Sequence, residues 1–556
     1  HQLVENQATR FPDNTAYVFE GRNFRYGQVN GWANAIAGRL AARGIGRGHF
    51  VPLLMDRSVE LPVCMLAVMK AGAAYVPMDV HWPAQRIHHI VRDTNCPVVL
   101  VTESPAAQLP AEVEVWTIET RDLGEDVSPP SVAITSDDPI YMIYTSGSTG
   151  VPKGAINKHR GIVNRLSYMT RRYGCAVDDV TLQTSAHIFD ASVWQYFWPL
   201  INGAKCILPS PMAGFDHRHI TELIGRYQVT VTDFVPSVFN ILVDILDKDT
   251  ELRNNLKSLR QILIGGEALS PKAIFRFLES FPRVGITNTY GPTETSIGVI
   301  FYEVGKEYED PLPIGRPIAN VNAYVLDELL QPVPIGVPGM LYVGGDCVGL
   351  GYHGDPVKTA AAFLDNPFPE VHPGPIYRTG DLARDRESGD IEFLGRADHQ
   401  VKIRGVRIEL GEIEAKLAQH PGISAAVVNL WEATGGAKRL AAYIVSTGAE
   451  APTTEELRAF LKESLPEYVI PHAFVRLSEL PLLRSGKVDR KSLPPPTDEP
   501  DRTRHRGPPP QTPVQSVIAQ TWRDEIGIPY VSIHDNFFEL GGDSLCAVRV
   551  VPRLEL

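Results

Sequence analysis

The chain has 556 residues, 44% of them hydrophobic, and a formal net charge of −12 at neutral pH. Single cores stop growing at about 250–300 residues, so two or more domains are expected. The acidic balance argues against nucleic acid or an anionic membrane as the main partner, and no apolar run reaches the roughly 18 residues of a membrane span. The first residues, His1 to Asn6, have no basic-then-apolar signal pattern and look cut from a longer polypeptide, which leaves a soluble, cytoplasmic protein as the expectation. Cys64, Cys96, Cys175, Cys206, Cys347 and Cys546 lie far apart without a C-x-x-C pair, a spacing that predicts buried reduced thiols rather than disulfides or a zinc site.

In chain order, strand-like runs at 98–101, 139–143, 261–264 and 323–326 alternate with helical stretches such as 216–228 and 270–280 through about residue 390. That alternation predicts α/β layers around a largely parallel sheet. The run at 139–143 feeds Tyr144-Thr145-Ser146-Gly147-Ser148-Thr149-Gly150-Val151-Pro152-Lys153-Gly154, where glycines, hydroxyls and one lysine are packed together. Such a run taken alone is more often a flexible turn. Its length and its Pro-Lys-Gly ending favour a loop that holds phosphates, with backbone N–H groups and hydroxyls as donors and Lys153 as a point charge, although the spacing is not that of the Walker loop.

After Asp398 the pattern changes to a charged ribbon at 400–408, a helix at 411–419 and further short elements, a small α+β domain of about a hundred residues. Residues 494–512 combine proline with charge and read as an exposed, semi-stiff linker. An amphipathic helix at 513–524, a loop and the turn Gly541-Gly542-Asp543-Ser544-Leu545 begin a third module, and no internal repeat is visible.

With these residues in view the chain resembles the adenylate-forming superfamily, specifically an adenylation domain of a nonribosomal peptide synthetase followed by the beginning of a thiolation (peptidyl carrier) domain. The resemblance covers nearly the whole sequence. Besides the phosphate loop it rests on segments 70–79, 189–192, 288–294, 377–382, 395–398, 465–471, 486–490 and 540–545, all in the family's order. It implies an α/β fold: a large N-terminal adenylate-forming core with parallel-rich sheets and helices over 1–397, and a small α+β C-terminal subdomain over 398–496 hinged at Asp398. A linker at 497–512 and a partial helical carrier domain at 513–556 follow.

The implied reaction has two halves. A substrate carboxylate attacks the α-phosphorus of ATP to give an acyl-AMP and pyrophosphate, and a thiol then displaces AMP. In-line phosphoryl chemistry depends on positioning and electrostatics. The resemblance therefore assigns Lys487, Lys153 and Glu294 as catalytic residues, with Glu294 holding Mg2+, and Thr145, Ser146, Gly147, Ser148, Thr149 and Gly150 as the phosphate loop. Tyr290 would stack adenine, with Asn288, Gly266, Glu267 and Ala268 at its edge and Gly291 and Thr293 beside it. Asp381 and Arg396 would take the ribose or phosphates. As the small domain turns at Asp398, the 400–407 ribbon would replace Lys487 at the site. Ser544 would carry 4'-phosphopantetheine, although a serine there can also simply cap a helix, and Pro552 would interrupt the helix that follows. Met340 and Ser485 depart from the family's commoner residues without removing a catalytic group.

The pocket carried over residue by residue is Asp190, Ala191, Trp194, Asp233, Leu263, Gly265, Thr289, Ile297 and Gly298, with Lys487. Asp190 pairing an ammonium and Lys487 a carboxylate would bracket an α-amino acid. A buried Asp233 is costly unless paired, and Gly265 and Gly298 leave volume, so an ornithine-like side chain is the first choice and glutamine the next. A small hydroxy or diamino acid fits if Trp194 fills the space. Implied partners are the carrier domain, condensation and other synthetase modules and a phosphopantetheinyl transferase, with an MbtH-like activator as one candidate and neither nucleic acid nor membrane. The alternatives are a standalone acyl-CoA or aryl ligase and a binding module that has kept only the fold.

Overall fold

The computed structural model describes residues 1–103, 108–147, 151–211, 216–398, 400–403, 405–432, 438–448, 451–483, 488–496, 507–526, 528, 530–537, 540, 542, 550 and 553–554. Two compact units result. One comprises His1–Gly147, Val151–Met212 and Thr221–Ile408, the other Ser148–Gly150, Ala213–Ile220 and Glu409–Leu556.

In the large unit, strands Phe50–Leu54, Ala74–Met78 and Val98–Val101 are buried along their whole length, as expected of continuous apolar runs in a covered parallel sheet. They pair in parallel with each other, with Pro139–Thr145 and with Glu114–Thr117. Two antiparallel strands, Lys153–Lys158 and Gly351–Tyr352, complete this seven-stranded sheet. A nine-stranded sheet has a parallel centre of Gly285–Tyr290, Gln261–Gly265, Val231–Phe234, Val180–Leu182, Lys205–Leu208 and Thr15–Phe19. Its outer strands Ile300–Glu303, Arg316–Pro317 and Arg22–Arg25 are antiparallel.

The strands read from sequence at 98–101, 261–264 and 323–326 are present as Val98–Val101, Gln261–Gly265 and Val321–Leu326, and the helices as His217–Tyr227 and Pro271–Ser280. The two parallel-rich sheets bear out the α/β expectation. A third, five-stranded sheet built around Val321–Leu326, Gly339–Gly345 and Ile376–Asp385 is antiparallel throughout.

Packing in the large unit includes one buried ammonium. Lys70, at the end of helix Glu60–Lys70, donates to Glu5 Oε1 at 2.6 Å and to Asn30 and Asn34 Oδ1 at 2.7 Å each, tying helix Gln2–Arg10 to helices Tyr26–Ala42 and Glu60–Lys70. Burial pulls its pKa down, and the carboxylate partner opposes that. Cys64, Cys96, Cys206 and Cys347 are buried thiols and Cys175 is partly covered; Cys546 lies outside the described residues.

The ribbon is formed by strands Gln400–Ile403 and Val406–Glu409 around Gly405, whose φ of +75° favours glycine. It belongs to the large unit as far as Ile408.

In the second unit, helices Leu410–Leu417 and Thr454–Lys462 accompany a sheet of Ile423–Glu432, Lys438–Ser446 and Ala473–Arg476. Thr453 and Glu456 form a reciprocal cap at the start of the second of these helices. Helix Pro513–Ile526 sets Trp522 edge-on to Phe537, with ring centroids 5.0 Å apart, in a small cluster with Ile526, Val550 and Leu554. Linker residues 497–506 lie outside the described residues. Among the described residues no helix is long and apolar enough to cross a membrane.

Candidate nucleotide and substrate site

Strand Pro139–Thr145 ends in the phosphate loop and returns as Lys153–Lys158, with Thr145 opposite Lys153, so the register places the lysine beside the loop's start. A Cβ on Gly147 would lie 2.0 Å from the Val151 carbonyl oxygen, so only glycine fits this turn. Ser148, Thr149 and Gly150 lie outside the described residues, as do Lys487 and Ser544.

Glu294 stands in the short helical turn Thr293–Thr295 and is 1% exposed. Its Oε1 accepts from Tyr352 Oη at 2.7 Å and lies 3.5 Å from Lys153 Nζ, while Arg407 Nη1 reaches Oε1 and Oε2 at 3.0 and 2.8 Å. Burial pushes the Glu294 carboxyl upward, but Arg407, Lys153 and the phenol together outweigh it and hold the carboxyl well below the usual range. The Lys153 ammonium also lies 4.4 Å above the Tyr352 ring and donates to its oxygen at 3.1 Å.

Tyr290 ends strand Gly285–Tyr290, and its hydroxyl donates to Asp381, whose other oxygen accepts from Arg396 Nη1 at 2.8 Å. Arg396 also pairs with Asp398, which accepts from the Gln400 amide at 3.1 Å, so the residue expected as a hinge caps a turn here. Asn288 donates its amide to the Pro313 carbonyl at 2.8 Å, and that donor is therefore already used inside the fold. Gly291 packs against Ile297 so closely that a Cβ would lie 2.0 Å from its carbonyl oxygen, and Thr293 accepts from Asn157 through its own carbonyl. Gly266, at φ +93°, opens the turn that carries Glu267 and Ala268.

The ribbon lies on these same residues. Lys402 Nζ is 5.8 Å from the Tyr290 ring centre, the Gly405 amide donates to Glu267 at 3.1 Å, and Ser146 Oγ donates to the Arg407 carbonyl at 2.9 Å.

Parallel pairing sets Asp233 opposite Leu263 and Gly265 opposite Thr289 toward the carboxyl ends of the strands, where open α/β sheets place their ligands. Asp190 precedes helix Ala191–Ile201, which brings Trp194 to Asp233. Burial pushes Asp190 up to about 6, against the Thr293 hydroxyl and the Ala191 amide. Leu263 and Ile297 are buried in the surrounding core.

Two observations bear on the pocket. Asp233 has donors within the fold: Thr184 Oγ1 donates to it at 2.7 Å and Trp194 Nε1 at 3.3 Å, and the Gln195 amide donates as well. Gly265 does not leave a void, because a Cβ there would lie 2.3 Å from both oxygens of Thr289; at Gly298 it would lie 3.2 Å from Thr289 Cβ.

Sequence reasoning missed Tyr352, the pairing role of Arg407, and Gln195. It also missed Arg165, which is 1% exposed and stacks 4.5 Å over Phe301, while its Nε and Nη1 have no hydrogen-bond partner. No local pattern marks any of these four.

Residues 4–353 match the AMP-binding enzyme family, 412–487 the AMP-binding enzyme C-terminal domain, and 516–555 a phosphopantetheine attachment site. The chain belongs to the AMP-binding enzyme family. It is 40% identical over 559 residues to tyrocidine synthase 3 of Brevibacillus parabrevis, matching 100% of this chain and 8% of that protein. Tyrocidine synthase 1 of the same organism is 37% identical over 572 residues, with 100% of this chain and 50% of that protein covered. The chain thus spans from a small fraction to half of these relatives.

Among solved structures, a nonribosomal peptide synthetase protein containing adenylation and PCP domains, bound to a vinylsulfonamide inhibitor, superposes with a TM-score of 0.81 at 29% identity over 99% of this chain and 90% of that one. An artificially fused adenylation–PCP di-domain from Klebsiella oxytoca gives 0.76 at 27% identity over 86% and 93%. The family implies ATP with Mg2+, and the attachment site implies 4'-phosphopantetheine. Glu294 fits the metal, since a buried carboxylate kept ionised demands a cation, and the described residues hold no cluster of three or more metal-ligating side chains. One carboxylate completed by phosphate oxygens and water suits Mg2+.

Proposed function

We propose that the chain activates an amino acid with ATP and passes it to a carrier thiol in nonribosomal peptide synthesis. The observation that carries this reading is the convergence of Glu294, Lys153 and the ribbon on one buried corner beside Asp190. The substrate carboxylate oxygen attacks the α-phosphorus, the bond to the bridging oxygen breaks, and pyrophosphate leaves; a thiolate then attacks the acyl carbon and AMP leaves. Lys153 and the loop N–H groups stabilise the phosphate charge, Tyr290 and Ala268 border the adenine, and Asp381 with Arg396 takes the ribose. Mg2+ held by Glu294 would neutralise the leaving pyrophosphate. Lys487 serves the first half-reaction, Asp398 is the hinge between core 1–397 and subdomain 398–496, and Ser544 in segment 513–556 carries the phosphopantetheine beyond linker 497–512. Condensation and other synthetase modules, a phosphopantetheinyl transferase and an MbtH-like protein are the proposed partners, and a cytoplasmic location follows from that company.

For the substrate, an ornithine-like side chain donating to Asp233 competes with three donors already there. Glutamine gains support from Arg165: a carboxamide offers a donor toward Asp233 and an acceptor to a buried guanidinium of which Nε and Nη1 have no hydrogen-bond partner, and which interacts electrostatically with Asp233 and Asp190. Amino-acid-dependent exchange of pyrophosphate into ATP, run with ornithine, glutamine, lysine, serine and leucine, tests both. Dominance by glutamine supports the carboxamide reading, dominance by ornithine the first choice, and dominance by leucine overturns both.

A further inference from the structure

Two charges with separate tasks stand side by side in the large unit. Lys153 Nζ lies 3.5 Å from Glu294 Oε1, beyond the roughly 2.7–2.9 Å of a direct charge-assisted hydrogen bond. The Glu294 side chain is fully buried and that of Lys153 is 12% exposed, so little water screens their attraction. The Tyr352 hydroxyl touches both: it donates to Oε1 at 2.7 Å and accepts from Nζ at 3.1 Å. An ammonium has only donors and an ionised carboxylate only acceptors, so a phenol can join the two in this sense alone. Its ring adds a second hold, with Nζ 4.4 Å from the ring centre. Backbone pairing fixes where the phenol stands. Strand Gly351–Tyr352 runs antiparallel to Lys153–Lys158 with Tyr352 opposite Ala155, the His353 amide donates to the Gly154 carbonyl at 2.8 Å, and the Tyr352 amide donates to Thr359 Oγ1 at 2.9 Å.

We propose that Tyr352 is a positioning residue, a spacer that keeps the Lys153 ammonium from closing onto Glu294, so that the lysine keeps its charge for the nucleotide phosphates and the carboxylate keeps its own for a metal ion. The inference rests on the adenylation reading and adds to it a residue that acts through two others. Without the hydroxyl, the two charges are free to meet in a direct bond of about 2.8 Å. That bond draws the ammonium toward Glu294 and takes up one carboxylate oxygen. Loss of the hydroxyl does not strand the carboxylate, because Arg407 Nη1 reaches both of its oxygens. The change therefore falls on how the charges are shared and not on whether they are paired.

Binding of α,β-methylene-ATP with Mg2+, an analogue whose α–β link resists cleavage, is measured by calorimetry on the full chain in the wild type, Tyr352→Phe, Glu294→Gln and the double variant. Pyrophosphate exchange and the midpoint of chemical denaturation are followed beside it. Tyr352→Phe keeps the ring beside the ammonium and removes the oxygen. It should weaken binding of the analogue by roughly tenfold, the scale of one hydrogen bond to a charged group, while the denaturation midpoint and the half-saturating amino acid hold. In the Glu294→Gln background Lys153 has no charge to close onto, and losing the same hydroxyl should weaken binding by no more than about twofold. Unchanged binding in Tyr352→Phe overturns the inference. So does a loss of equal size in both backgrounds, which would put the phenol on the nucleotide itself, and so does a midpoint that falls with the affinity, which would make the residue structural. A wild type that shows this non-additive binding yet supports exchange with no amino acid overturns the adenylation reading and leaves the spacer standing.

Discussion

Two buried carboxylates stand at opposite ends of the candidate site, and burial acts on both in the same direction. Glu294 is held well below the ordinary range because a guanidinium and an ammonium face it, whereas Asp233, surrounded by a hydroxyl, an indole and an amide, is pushed up to about 6. The partners decide the outcome. At the nucleotide end the fold supplies charged partners, and at the pocket floor it supplies neutral donors. The first arrangement suits a reaction that builds and discharges negative charge, and the second suits discrimination between side chains of similar size.

The sharpest way to break this contrast is Glu294→Gln, which keeps the shape and removes the charge. Pyrophosphate exchange should fall on the order of 10²–10³-fold, as for loss of one electrostatic stabiliser; retained activity would make Glu294 a bystander. Gly265→Ala tests the rigidity of the pocket end. A methyl 2.3 Å from the Thr289 oxygens must push that strand aside, at a cost of about 1–3 kcal/mol measurable by chemical denaturation. An unchanged midpoint would show that the pocket can yield.

Arg165→Met keeps an apolar stem over Phe301 and deletes a buried charge whose Nε and Nη1 lack hydrogen-bond partners, so thermal stability should hold or rise. Preference for a carboxamide substrate over leucine should drop by roughly tenfold, the scale of one lost polar contact in a pocket. The smallest effect is expected from Asp233→Asn followed against pH. The folded chain holds the Asp233 proton more tightly than the unfolded chain does, so the ionised carboxylate detracts from stability as pH rises toward about 6. Asparagine carries no such proton, and any stability deficit of the variant should narrow between about pH 4 and about pH 6. A deficit independent of pH would mean that Asp233 stays ionised throughout.

The sequence made the nucleotide end legible because its parts are short and contiguous: a strand running into a glycine-hydroxyl loop with a lysine, and Tyr290 to Glu294 in a single turn. The pocket end was legible as a set of positions and not as chemistry. Asp233 takes its donors from residues 184, 194 and 195 on neighbouring elements, and the neighbour that fills the space beside Gly265 is a threonine across a parallel strand pair. Period and propensity carry no information on such pairings.

Lys70 carries a practical lesson for cutting and recombining such chains. It belongs to a segment that helps mark the family, yet its ammonium works as a rivet through three helices, and one of the heads is Glu5. An excision that begins after Arg10 would take that head away and leave a cation facing two amide oxygens in a dry interior. A transplanted unit should therefore carry Glu5 and its helix with it, because the recipient would otherwise inherit an intact site on a loosened frame.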